Sequence, residues 1–333
     1  MKDQRSRLII GSLVSLVLLG WVIWRTDWNI VGQRLSEANA ALLLGALVMV
    51  WAGVAFRAWR WGIMLEPEDS ERSFLTLFDI VNLGYFANNI LPARLGDFLR
   101  AYLAGEWTRA SLSFALSTTV VERVLDTLVV VLMLFGVLPF LPVPPVAARA
   151  GMLIGAGFFV GAILLVIAAW QRDRSERLIR TLLRPLPLDE QLWGERLVAL
   201  LDGFALVRQP GRFARVLVTT VFVWAAAIFS YWLTFRAFDL DLGPLAATFT
   251  ISLAALGMAA PSGPASAGTY DAAATGALTI LGVEAGLAGG VAVILHAINF
   301  LAVTALGLWS LARRGLSFGA LTRRVETVKT SEG

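Results

Sequence analysis

The stretch FLTLFDIVNLGYFANNILPARLGDFLRAYLAGEW, residues 74–107, decides how this chain is read. Phe74–Leu91 is apolar, but the run breaks at Pro92 and resumes as Ala93–Trp107 with charges in the second piece. Proline removes a helix donor and clashes with the turn before it, so two half-helices around an unwound centre are expected. A second stretch behaves alike. Leu245–Ala260 is broken by Pro261-Ser-Gly-Pro-Ala-Ser-Ala-Gly268 and resumes as Thr269–Leu281, with glycine and serine relaxing the backbone further.

Around these stretches lie windows free of charge. A spanning helix needs about 20 predominantly apolar residues. Leu8–Trp24, Ala38–Phe56, Thr127–Ala148, Ala150–Gln171, Val216–Phe235 and Ala285–Ala312 fit, the last interrupted only by His296. The third is expected to begin near Ser113 and so to carry Glu122, Arg123 and Asp126. Leu8–Trp24 follows Lys2, Arg5 and Arg7, but it is long for a signal peptide and lacks a cleavage-site pattern, so it reads as a retained helix.

Composition agrees. The 333 residues are 57% hydrophobic and 16% charged, against about 45–50% and 25% in soluble domains, which excludes a water-soluble globular protein. Without cysteine there is no disulfide scaffold, thiol catalysis or Cys-ligated metal, and a single histidine makes no metal cluster. No cofactor is expected, and without a phosphate-cradling P-loop no ATP-driven step. Of 28 basic residues 26 are Arg, gathered in a few loops, which points to membrane orientation before nucleic-acid binding.

Residues 1–7, 57–72, 171–215 and 312–333 hold 20 basic residues against Arg25, Arg34, Arg149 and Arg236 on the other side. The positive-inside rule then places both termini in the cytoplasm. Trp21, Trp24 and Trp28 fit an outer interface belt, and Trp59, Trp61, Trp170 and Trp309 an inner one. By parity the first interrupted stretch enters from the cytoplasm and returns, and the second does so from outside. The expected fold is an all-α polytopic membrane protein with about six full spans plus two re-entrant helical hairpins in an inverted repeat. The halves are about 1–140 and 149–312, with an amphipathic segment at 171–215 and a frayed polar tail at 313–333. Pro92 with Gly96 and Asp97 answers faintly to Pro261 with Gly268 and Asp271. Such paired interruptions point to a transporter site; the alternative is eight to ten ordinary spans with proline kinks.

Unwound backbone at membrane depth must be satisfied by protein or water, and helix N-termini there favour anions. Asn88 and Asn89 add amides at the first break. Thr269 is expected to cap the second half-helix, and Tyr270 supplies a phenol. Arg94, Asp97 and Arg100 share one helix face, Glu122 and Asp126 another, and Arg123 is spaced to pair with Asp126. At roughly 2.5–3.5 kcal/mol each, six unpaired charges would cost on the order of 15–20 kcal/mol, more than a domain's stability of about 5–15. They must pair or face water. Two readings remain: ion pairs that lock the hairpin to the third span, or arginines left to grip an anionic headgroup. In the second, Arg100 and Arg123 make the contact and Asp97, Glu122 and Asp126 orient them. His296 is either a packed neutral histidine or a ligand for a proton or headgroup. Asp271 is either a first-turn carboxylate or part of the site.

Asn88-Asn-Ile-Leu-Pro-Ala-Arg-Leu-Gly-Asp97, then Arg100-Ala101 and Glu122-Arg123-Val-Leu-Asp126, resemble the lysylphosphatidylglycerol synthase transmembrane-region family, also called flippase-like or UPF0104 proteins. The turn Pro261–Asp271 resembles that family's Pro-Gly-Gly-x-Gly-x-x-Glu-like turn, with Asp271 where Glu is common. His296 stands where the family often has Arg. The resemblance covers about residues 10–312 and implies a domain that moves a polar lipid between leaflets of the bacterial cytoplasmic membrane. No soluble synthase domain like that of the best-known relatives is expected, and so no lipid aminoacylation by this chain. Membrane lipids are the expected partners, with headgroups of phospholipid, aminoacylated phospholipid or polyprenyl-phosphate type. Two alternatives stand beside this: a membrane-embedded lipid or glycosyl transferase using Asp239-Leu-Asp241, and a non-catalytic partner docking a cytoplasmic lipid-modifying enzyme through 171–215.

Overall fold

The computed structural model describes residues 17–24, 26–66, 73–91, 95–143, 145–183, 206, 208–259, 264–317 and 319. They are helical, with no strand among them. After a helical stretch over residues 17–24 come α1 (Trp28–Glu37), α2 (Ala40–Leu65), α3 (Phe74–Ile90), α4 (Leu95–Trp107), α5 (Leu112–Val137), α6 (Pro145–Trp170) and α7 (Arg172–Leu183). Then follow α8 (Pro210–Ala237), α9 (Pro244–Ala259), α10 (Thr269–Ile280) and α11 (Ala285–Arg313). Local chemistry sets several starts. Asp27, Asn39, Ser111 and Glu284 each accept free backbone N–H groups of the helix that follows, as N-caps do.

Among the described residues α2, α5, α8 and α11 are long and apolar enough to cross a membrane. Pro145–Trp170 is a 26-residue helix whose apolar stretch is Gly155–Ala168, and the expected first span is described only from Val17. The second span does not end at Phe56. No breaker follows, and the helix runs on to Leu65, carrying Arg57 and Arg60 inward instead of into a loop. It ends where Arg212 donates to the carbonyls of Ile63 and Met64, at 2.8 and 2.7 Å.

Both interrupted stretches fold back on themselves. The arms of the first have 17 and 13 residues, those of the second 16 and 12. At about 1.5 Å per residue each arm reaches roughly 18–26 Å, short of the ~30 Å hydrocarbon core. Glycine allows the arms to touch. A Cβ on Gly96 would stand 1.9 Å from the Gly84 carbonyl, and one on Gly257 would stand 2.7 Å from that of Thr269.

α2 and α8 run together through the middle, where Ser230 Oγ donates to the Ala46 carbonyl at 2.9 Å. The α3–α4 hairpin packs on α2, α5 and α11, and the α9–α10 hairpin packs on α8, α11 and α5. Each hairpin therefore rests on the central helix that precedes it, the helix that follows it and the corresponding helix of the other half. Apolar side chains gather in two main cores, one around Leu83, Leu99 and Trp61 and the other around Tyr231, Leu278 and Val291.

Candidate functional site

The first polar centre lies where α2, α4 and α5 meet. Arg60 is wholly enclosed. Its Nη1 donates to Asp126 at 2.7 Å and its Nη2 to Glu122 at 2.9 Å. Arg100, also enclosed, donates to the other oxygen of Glu122, and its Cζ lies over the Trp61 ring, 4.0 Å from its centroid. Arg57 donates to Asp126 at 2.8 Å. Arg123 reaches Asp97 on the hairpin through Nη2 and Nε, at 2.6 and 3.1 Å. Asn88 ties the hairpin turn together, donating to Asp97 at 3.1 Å and accepting from the Gly96 N–H at 2.8 Å. Asn89 faces α11, donating to the Phe300 carbonyl and Thr304, each at 3.4 Å.

The second centre joins α10, α11 and α8. Asp271 accepts the Gly268 N–H at 2.9 Å, so Gly268, at φ +88°, is the cap and not Thr269, whose hydroxyl donates back to Ser266. His296 Nδ1 faces Asp271 at 3.0 Å while Nε2 faces the Ala265 carbonyl at 3.2 Å. The imidazole thus bridges the α10 carboxylate and the backbone of the preceding turn. The Tyr270 ring lies 4.5 Å from the imidazole, and its hydroxyl bonds that of Tyr231. The Pro264–Ser266 turn rests on α3, so the second break touches the first hairpin.

The two centres share a pattern. Asp97 is the third residue of α4 and Asp271 the third of α10. Arg123 is the twelfth residue of α5 and His296 the twelfth of α11. Each hairpin thus holds the next helix through the same kind of pair, one with guanidinium and one with imidazole.

A third cluster closes the far end of α11. Asp79, buried on α3, accepts from Arg313 and Arg314. Arg314 also donates to Thr76 at 3.0 Å and lies over Trp107. The expected tail therefore begins anchored at its first two residues.

Asp97, Arg100, Glu122, Arg123 and Asp126 come together as expected, but the pairing differs. Arg123 bonds the hairpin's Asp97, and Asp126 is taken by α2. Tyr270, Asp271 and His296 form the second group. Arg94 lies outside the described residues, as do Leu197, Leu200, Leu201 and Phe204 of the expected amphipathic segment. Trp61 is buried, donating to Thr118 at 3.1 Å, and does not belong to an interface belt, whereas Trp59, Trp170 and Trp309 are exposed. Sequence reasoning missed Arg57, Arg60, Tyr231 and Asp79. The signal for the first two was the apolar run Trp61-Gly-Ile-Met-Leu65 beyond them, which keeps the helix going. Asp239, at φ +52°, and Asp241 stand in the turn before α9, and Asp241 lines a cavity of about 430 Å³ together with Leu141, Pro142 and Leu281.

These features define a polytopic helical membrane protein built around two polar hairpin contacts. The sequence pattern of the lysylphosphatidylglycerol synthase transmembrane region matches residues 8–307, and the chain belongs to that family. Two UPF0104 membrane proteins of Methanothermobacter thermautotrophicus are each 24% identical to it. One alignment covers 92% of both chains; the other covers 95% of this chain and 97% of the relative. A protein of Haloferax volcanii named glycosyltransferase AglD is 23% identical over 91% of this chain and 54% of its own length. No solved structure matches significantly.

Proposed function

We propose that the chain translocates a lipid between leaflets, the headgroup passing through the polar centre while the tail stays in the bilayer. One observation carries this reading. Two helical hairpins, each with arms too short to span, bring charged side chains together inside an apolar bundle, where such groups are tolerated only against protein or a water-filled path. The matching Asp97–Arg123 and Asp271–His296 pairs support an inverted repeat, in which the two hairpins enter from opposite faces and the halves rock about α2 and α8. The arginine-rich ends support cytoplasmic termini, and the amphipathic α7 supports a segment lying on anionic headgroups. The test is reconstitution into liposomes with fluorescent phospholipids, followed by bleaching of the outer leaflet. Loss of about half the signal without protein and clearly more with it supports translocation; identical traces refute it.

A second reading follows the printed name of the Haloferax relative, a glycosyltransferase of which this chain spans about half. Asp239 and Asp241 are its acid pair. Metal-dependent glycosyl transfer lost in Asp241→Asn would favour it.

A further inference from the structure

Among the described residues charge does not balance at the first centre: Arg57, Arg60, Arg100 and Arg123 face Asp97, Glu122 and Asp126, four cations against three anions. Arg123 has Asp97 as its partner, so three guanidiniums share Glu122 and Asp126. A buried charge without a counter-charge is strongly unfavourable, and the surplus has one way out. Arg60 and Arg100 are sealed, whereas the side chain of Arg57 is 20% exposed and that of Arg123 35%.

The surroundings of Arg57 repeat the same shortage. Its guanidinium lies 5.9 Å from the Tyr85 ring centroid and 5.7 Å from that of Trp224. The Tyr85 hydroxyl and the Trp224 indole nitrogen are both buried, and neither has a hydrogen-bond partner among the described residues. Tyr85 is also close enough to Arg123 to interact with it electrostatically. An indole N–H can only donate. Buried donors without acceptors are uncommon in folded proteins, and each one asks for an explanation.

We propose that Arg57, Tyr85 and Trp224 form an oxyanion-binding subsite for a phosphate group, with Arg123 at its rim. A phosphate supplies the missing negative charge and several acceptor oxygens at once, and guanidinium forks match it. An ammonium or a neutral sugar supplies no negative charge. The subsite deepens the translocation reading and rests on it for the identity of the carrier, since the phosphate is either a lipid headgroup or a free anion.

The test is calorimetric titration of the full-length protein in a phosphate-free maltoside detergent. The titrants are dihexanoyl phosphatidic acid, inorganic phosphate and dihexanoylglycerol. Dihexanoyl phosphatidic acid binds and dihexanoylglycerol does not. Tyr85→Phe and Trp224→Phe each weaken binding about tenfold, the loss of one charge-assisted hydrogen bond. The melting temperature of Tyr85→Phe does not fall, because its hydroxyl has no internal partner to lose. Binding of the lipid alone assigns the subsite to a headgroup, and equal binding of inorganic phosphate assigns it to the free anion. Absence of binding by both, or binding unchanged in Tyr85→Phe, Trp224→Phe and Arg57→Gln, overturns the subsite. Lipid movement is measured on the same preparations. Movement without anion binding removes the subsite and leaves translocation standing, and anion binding without movement does the reverse.

Discussion

Two hairpins of similar build hold their neighbours with different chemistry. The first is fastened by Arg123 to Asp97, and behind that pair Arg60 and Arg100 bind Glu122 and Asp126. Guanidinium keeps its charge at any physiological pH. The second is fastened by His296 to Asp271 and by a pair of tyrosine hydroxyls. The imidazole makes one contact to Asp271 and one to the Ala265 carbonyl. The same geometry therefore gives a clamp of several ion pairs on one side and one of a few hydrogen bonds on the other.

The largest break in that comparison comes from the sealed network. Arg60→Ala leaves Glu122 and Asp126 short of their shared partner, at a cost of about 3–5 kcal/mol. Unfolding of the purified protein in detergent reads this directly. A loss below about 1 kcal/mol would show that the network is not structural.

Next come the glycine crossings. Gly96→Ala drives a methyl into the Gly84 carbonyl and pushes the arms apart, costing about 1–3 kcal/mol or more. Gly257→Ala meets Thr269 and Ala273 at 2.7 Å and costs less. Equal melting temperatures for the two variants would break the expected order.

The imidazole sharpens the contrast by removal. His296→Ala takes away the ring that faces both Asp271 and the Ala265 carbonyl, at a cost of about 1–3 kcal/mol in the same unfolding measurement; unchanged stability would contradict the assignment. The smallest effect is Tyr231→Phe, which removes one neutral hydrogen bond worth about 0.5–1.5 kcal/mol.

The hairpins were legible because proline and glycine interrupt apolar runs at fixed places, and the charges on α4 and α5 stood out against an apolar background. The partners were not legible. Helical spacing suggested Arg123 with Asp126, but spacing sees only one helix. In three dimensions the hairpin brings Asp97 to Arg123, and α2 brings Arg57 and Arg60 to Asp126. Arg57 and Arg60 were read as loop residues because charge near the end of an apolar window normally marks the membrane surface. Here two carboxylates on another helix draw them inward. Trp61 followed the same error, since tryptophan beside arginine suits an interface belt as well as it suits a covered cation–π contact. The pairing of Asp97 with Arg123 and of Asp271 with His296 emerges only when helix starts are known, because it depends on counting residues from each N-terminus.

The topology itself can be measured most directly with thiols, since the chain contains no cysteine. Single cysteines at Ser73 and Ser113 flank the first hairpin, and those at Asp241 and Thr279 flank the second. A membrane-impermeant maleimide applied to sealed, oriented vesicles should label Ser73→Cys and Ser113→Cys from one side only, and Asp241→Cys and Thr279→Cys from the other side only. Labelling of the two ends of either hairpin from opposite sides would mean that it crosses the bilayer, and the polar centre would no longer be a meeting point of two re-entrant breaks.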